Sequence, residues 1–107
     1  STPQEVALLD VKRGIKMFDK LGVKILGLVD NMSFFIGDDG KKYKIFGEGG
    51  VKKTAEEFKK EFLGEIPINP ELGKSGDLGE PLVEKNPNHE ISKIYLNFAN
   101  KIKSIYF

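Results

Sequence analysis

Apolar residues recur at helical spacing near the start of the chain, at Leu8, Val11, Ile15 and Phe18. Thr2-Pro3-Gln4-Glu5 ahead of them has the form of a capping box, with Thr2 as N-cap, Pro3 in the first helical position and Glu5 reaching back. Gly22 marks the stop, so the pattern predicts a chain that opens directly on a helix. Residues 23–29 follow as a near-continuous apolar run (Val23, Ile25, Leu26, Leu28, Val29), which fits a strand buried on both faces of a parallel sheet. Residues 34–36 and 42–46 flank Gly37-Asp38-Asp39-Gly40, which predicts a small hairpin turning at Asp39-Gly40. Gly47, Gly49 and Gly50 lead flexibly into a second helix whose apolar stripe is Val51, Ala55, Phe58 and Phe62. Residues 62–66 read as a second short buried strand, ended by Pro67. Asn69-Pro70 caps a brief helical turn, and residues 76–81 read as loop. A last helix starts at Asn86-Pro87 and carries Ile91, Ile94, Tyr95, Phe98, Ile102 and Ile105 on one face.

Helices alternating with buried strands argue for an open α/β sheet. Only two strands look fully buried, however, and none precedes the first helix, whereas a parallel sheet needs a strand before each crossover helix. The pattern therefore predicts a partial open parallel sheet with flanking helices and a small hairpin. Residues 1–107 are expected to form a single partial domain, the carboxy-terminal piece of a larger one.

Composition narrows the function. The chain has 107 residues, 31% of them charged, yet its formal net charge is only +1, which argues against a strongly basic nucleic-acid binder. No apolar run approaches the roughly 20 residues of a membrane helix, and the first residues lack a signal-peptide pattern, so neither a membrane nor a nucleic-acid partner is expected. The absence of cysteine excludes a disulfide framework, a thiolate metal site and a cysteine nucleophile. With His89 as the single histidine, an ordinary zinc site is not expected either, and no metal ligand is assigned. A cytoplasmic mixed domain remains.

Several motifs fail on inspection. Gly73-Lys74-Ser75 resembles the end of a phosphate-binding loop, but Ile68 stands where that loop needs its first glycine. Gly47-Glu48-Gly49 has Lys52 where the dinucleotide fingerprint has its third glycine. His89, without companion ligands or a nucleophile, reads as a surface residue of the last helix's first turn. Asn31-Met32-Ser33 matches a glycosylation sequon by chance. Lys41, Lys42 and Lys44 with Lys52 and Lys53 form either a cationic patch or ordinary solvated faces. No catalytic residue is assigned. One constellation survives. In open α/β sheets ligands bind beyond the carboxyl ends of the strands; Asn31 lies just past the first strand, and Pro67 and Asn69 just past the second. If the strands are parallel neighbours, these loops meet at one crevice, where an asparagine amide suits the edge of a purine base. On spacing alone, ordinary loop chemistry is the favoured account of the same residues.

Ser1-Thr2-Pro3-Gln4, Asp30-Asn31-Met32-Ser33, Ile45-Phe46-Gly47-Glu48-Gly49-Gly50, Leu63-Gly64-Glu65-Ile66-Pro67, and Asp77, Gly79 and Pro81 occur in this order. Together they resemble the carboxy-terminal part of an Mrp/ApbC-type ATPase, in the MinD/ParA branch of P-loop proteins, from residue 1 to the last helix. The resemblance implies an ATP-binding, magnesium-using and usually homodimeric protein that carries or assembles iron–sulfur clusters and passes them to recipient proteins. It also implies adenine contacts by Asn31, Pro67 and Asn69, the last being a position often held by aspartate in relatives. Two departures stand out. The phosphate-binding loop and the magnesium-handling acids lie in an amino-terminal half that this chain does not include, so the chain alone should not hydrolyse ATP. Many relatives carry a CxxC pair where residues 36–40 stand here, and Asp38 and Asp39 are hard oxygen ligands poorly suited to iron–sulfur chemistry.

Two functions follow as expectations. The first is the base-binding side of an ATP site in an iron–sulfur carrier, completed by the amino-terminal half. The second is a stand-alone interaction module that binds a partner protein through the lysine-rich hairpin or its apolar edges. An apolar strand without a full set of neighbours also predicts self-association, by edge pairing or helix exchange.

Overall fold

The computed structural model describes residues 1–107, which cluster into two compact units, Ser1–Pro67 and Ile68–Phe107. In the first unit, helix α1 (Glu5–Lys20) leads to strand β1 (Leu28–Asn31), the hairpin strands β2 (Phe35–Ile36) and β3 (Lys42–Tyr43), helix α2 (Gly50–Glu57) and strand β4 (Phe62–Ile66). β1 and β4 pair in parallel, and β2 and β3 pair antiparallel as a separate ribbon. The expected α/β architecture, a small parallel sheet with flanking helices, is thus observed, but β1 and β4 each leave one residue exposed, Asn31 and Glu65.

The helices cover the sheet through a small core. Ile15 of α1, Leu28 of β1 and Val51 and Ala55 of α2 are buried together, with Leu8, Val11, Ile25, Phe58 and Phe62 packed around them. Gly27 permits the approach of β4: a Cβ there would stand 2.7 Å from Leu63 Cγ. α1 closes as the pattern predicts. Gly22 adopts φ 73°, the Gly22 amide donates to Asp19 and the Val23 amide donates to the Phe18 carbonyl, a Schellman stop. α2 ends in the same way, but with Lys59 rather than glycine in the left-handed region (φ 55°).

Local expectations fail where non-local partners decide. The helix does not begin at Thr2: Gln4 is its N-cap, and the Thr2 hydroxyl donates to Gln4 Oε1 at 3.0 Å. The reason is that Ser1 is drawn to the sheet. Its ammonium donates to the Val29 carbonyl at 3.0 Å and its carbonyl accepts from the Asn31 amide at 2.7 Å, the two bonds of a parallel ladder. The first strand is Leu28–Asn31 rather than residues 23–29, because the ladder begins only where Leu28 meets Phe62. The hairpin's second strand likewise stops at Tyr43, short of residue 46.

The second unit is helical, with α3 (Pro70–Leu78), α4 (Leu82–Lys85) and α5 (Glu90–Tyr106). Residues 76–78, expected as loop, complete α3, which stops at Gly79 with φ 67°. Ile91 and Ser92 are the most buried residues of α5, and the Ser92 hydroxyl reaches the carbonyls of Leu82 and Asn86. His89 is not a plain surface residue. It is the N-cap of α5: its Nδ1 accepts the Ile91 amide at 3.1 Å, while Nε2 lies 2.8 Å from Glu71 Oε2. No helix is long and apolar enough to cross a membrane.

Candidate functional site

The parallel register places the ends of β1 and β4 level. Asn31 pairs with Ile66, and Pro67 leaves the sheet immediately after it. A tight turn follows Asn31: Met32 takes φ 53°, and the Ser33 amide returns to donate to the Ile66 carbonyl at 3.0 Å. The Asn31 side chain is exposed, and its Oδ1 accepts the Met32 amide at 2.9 Å. That bond fixes which way the amide faces and leaves Nδ2 as the group able to meet a ligand. Asn31 and Pro67 are therefore brought to one end of the parallel pair, as the strand-end rule requires. Asn69 belongs to the second unit, where its Oδ1 caps α3 by accepting the Glu71 amide at 2.9 Å.

Beneath the turn lies a group that the sequence pattern does not mark as part of the site. Alternation along β1 sends Leu28 and Asp30 to the covered face and leaves Asn31 exposed. Asp30 is 3% exposed and Ser33 4%. The Ser33 hydroxyl donates to Asp30 Oδ2 at 3.3 Å, whereas Oδ1 is buried without a hydrogen-bond partner. Burial first, and then the neighbouring Glu65 carboxylate, raise the Asp30 pKa above its ordinary value, against the Ser33 bond, the Ser1 ammonium and Lys44. The one signal in the sequence is the Asp-x-x-Ser spacing inside a strand-ending segment.

The hairpin tip is organised by its own acid. Asp39 Oδ1 accepts the Lys41 amide at 2.9 Å and Oδ2 accepts the Tyr43 hydroxyl. The Tyr43 bond chiefly, together with the Lys41 amide, holds the Asp39 pKa below its ordinary value, and the same Asp39 bond raises that of Tyr43. Both Asp39 oxygens are thus engaged, the chain has no cysteine, and the residues here do not fit an iron–sulfur cluster. Two of the lysines near the hairpin have local partners. Lys44 is bonded to Glu48 at 2.6 Å, and Lys42 lies over the Phe34 ring at 4.1 Å.

Comparison with known proteins places the chain in a family and a fold. The family model described as "ParA: NUBPL iron-transfer P-loop NTPase" matches residues 1–103. An iron–sulfur cluster carrier protein of Aquifex aeolicus is 41% identical over 106 residues, 98% of this chain and 29% of that protein. The chain therefore spans less than a third of that relative's length. Among solved structures, a nucleotide-binding protein of Archaeoglobus fulgidus in complex with ADP is 40% identical, with a TM-score of 0.61 over 74% of this chain and 33% of that one. The cell division ATPase MinD of Pyrococcus furiosus, 20% identical, superposes with a TM-score of 0.72 over 98% of this chain and 40% of its own, a likeness of fold.

Proposed function

Because the chain belongs to the family of NUBPL iron-transfer P-loop NTPases, we propose that it supplies the adenine-binding side of the nucleotide site in a larger ATP-binding iron–sulfur carrier. The observation that carries this reading is the level ending of β1 and β4, which presents the Asn31 amide beside Pro67. An uncommitted Nδ2 donor on an oriented amide suits a ring nitrogen of adenine, and Pro67 offers an apolar surface to the ring. Asn69 is included on the resemblance, its Oδ1 being engaged in capping α3. The ADP complex of the Archaeoglobus relative supports a nucleotide of this class.

In this reading the triphosphate and its magnesium are held by residues of an amino-terminal half, and this chain contributes base recognition. The cluster is cargo, its thiolates supplied elsewhere, and the hairpin takes no part in holding it. A homo-oligomeric, cytoplasmic protein that delivers clusters to recipient proteins completes the proposal. Family membership favours it over a stand-alone interaction module.

Titrating the 107-residue chain with adenosine and with guanosine, followed by amide NMR, tests the reading. Base contacts without phosphate contacts should give dissociation constants of about millimolar order. The Asn31 side-chain amide and the amides flanking Pro67 should shift saturably with adenosine alone, and Asn31→Ala should remove the effect. Equal shifts with guanosine, or shifts confined to other surfaces, would refute it.

A further inference from the structure

Asp30 and Asn31 are consecutive in β1 but serve opposite faces, one covered and one exposed. Between them the turn is closed by three bonds: Ser33 hydroxyl to Asp30 Oδ2, Ser33 amide to the Ile66 carbonyl, and Met32 amide to Asn31 Oδ1. Met32 sits in the left-handed region (φ 53°), which a non-glycine residue occupies only at a steric cost. Something must hold it there. The Asp30–Ser33 link is the one side-chain bond that spans the turn, and it is buried at both ends.

We propose that Asp30 is the positioning residue for Asn31: through Ser33 it holds the strand-end turn in which the Met32 amide fixes the Asn31 side chain for a purine base. The purine part rests on the function proposed above, whereas the mechanical part does not. Asp30 is suited to the task because it is buried beneath the turn, and its unpartnered Oδ1 makes its placement sensitive to charge. A neutral carboxyl satisfies the buried site better than a carboxylate. Ionisation therefore draws Asp30 towards water and loosens the turn. The charged groups facing it are Glu65 from β4, which opposes ionisation, and Lys44 and the Ser1 ammonium, which favour it.

Hydrogen exchange of the Met32 amide in the 107-residue chain, followed by NMR against pH, provides the test and needs no nucleotide. Protection, corrected for intrinsic exchange, should fall as pH rises through the Asp30 titration, with the Asn31 side-chain amide shifts moving at the same midpoint. Asp30→Asn should abolish that pH dependence and keep the protection. Ser33→Ala should lower it roughly tenfold, the weight of one hydrogen bond, while the core methyls of Ile15 and Leu28 stay unmoved. Met32 protection that ignores the Asp30 titration, or that survives Ser33→Ala, overturns the proposal. An adenosine response lost in Asn31→Ala but insensitive to Asp30→Asn and Ser33→Ala would keep the base site and remove Asp30 from it.

Discussion

Asp30 and Glu65 stand opposite each other across the parallel pair β1–β4, the first buried and the second exposed. The folded protein therefore binds a proton at Asp30 more tightly than the unfolded chain does. A raised carboxyl pKa contributes stability that is complete below the unfolded value and is lost as pH rises through the folded one. Asp30→Asn removes the buried charge. At pH 7 it should raise the melting temperature by about 4–8 °C, corresponding to about 1 kcal/mol, and the advantage should shrink on acidification. Melting curves across pH 3–8, as an order-of-magnitude window around carboxyl titration, check it; a gain that grows with acidity would contradict the assignment.

Asp39 and Tyr43 make the opposite case. The Asp39 pKa is lowered, so its contribution to the hairpin is present above the unfolded value and disappears as pH falls through the folded one. The Tyr43 pKa is raised by the same bond, so its share persists at neutral pH and is lost as pH rises through the folded phenol value. Ultraviolet titration should place one tyrosine above the ordinary range, and Asp39→Ala should return it.

Lys59 ends α2 in a backbone conformation that favours glycine. Its amide and that of Lys60 close the Schellman bonds to Glu56 and Ala55, which glycine would also make. Lys59→Gly should stabilise the chain by about 0.5–1 kcal/mol, the strain relieved being partly offset by a freer unfolded chain. Denaturant melts measure it, with no change in slope expected.

Gly27 gives the reverse. An added Cβ would meet Leu63 Cγ at 2.7 Å and both its methyls at 3.0 Å, and Leu63 is itself buried. Gly27→Ala should cost about 1–3 kcal/mol. Combined with Leu63→Ala, the loss should fall short of the sum of the two, because the smaller side chain on β4 makes the room that the added methyl needs. Strict additivity in the double variant would mean that the contact is not the cause.

Much of the fold was legible because it is written locally. The strand Phe62–Ile66, the Gly22 stop and the Asn69 cap follow from apolar spacing, glycine, proline and side-chain oxygen chemistry, whereas the expected stripe of α5 is buried only at Ile91, with Tyr95 and Ile105 exposed. The start of β1 and the failure of the Thr2 cap were not legible, since both depend on what lies alongside: Phe62 on one edge of β1 and Ser1 on the other. The same division holds at the site. Asn31 and Pro67 could be placed from the rule that strand ends gather ligands. Asp30 could not, because an acid in a strand is ordinarily exposed, and only tertiary packing decides that this one is covered.

Ser1 carries one more consequence. By holding both the Val29 carbonyl and the Asn31 amide, it pairs with Asp30 as a residue of a parallel strand would. Parallel pairing has a strict two-residue rhythm, so this single bridge fixes the phase of any strand joined to Ser1 from upstream. The residue before Ser1 would come level with Val29 and turn its side chain to the face opposite Asp30, and the alternation would continue from there. A separately made amino-terminal fragment ending in such a strand would find its alignment already set, and a fusion that adds or deletes one residue at this junction would turn the whole strand inside out.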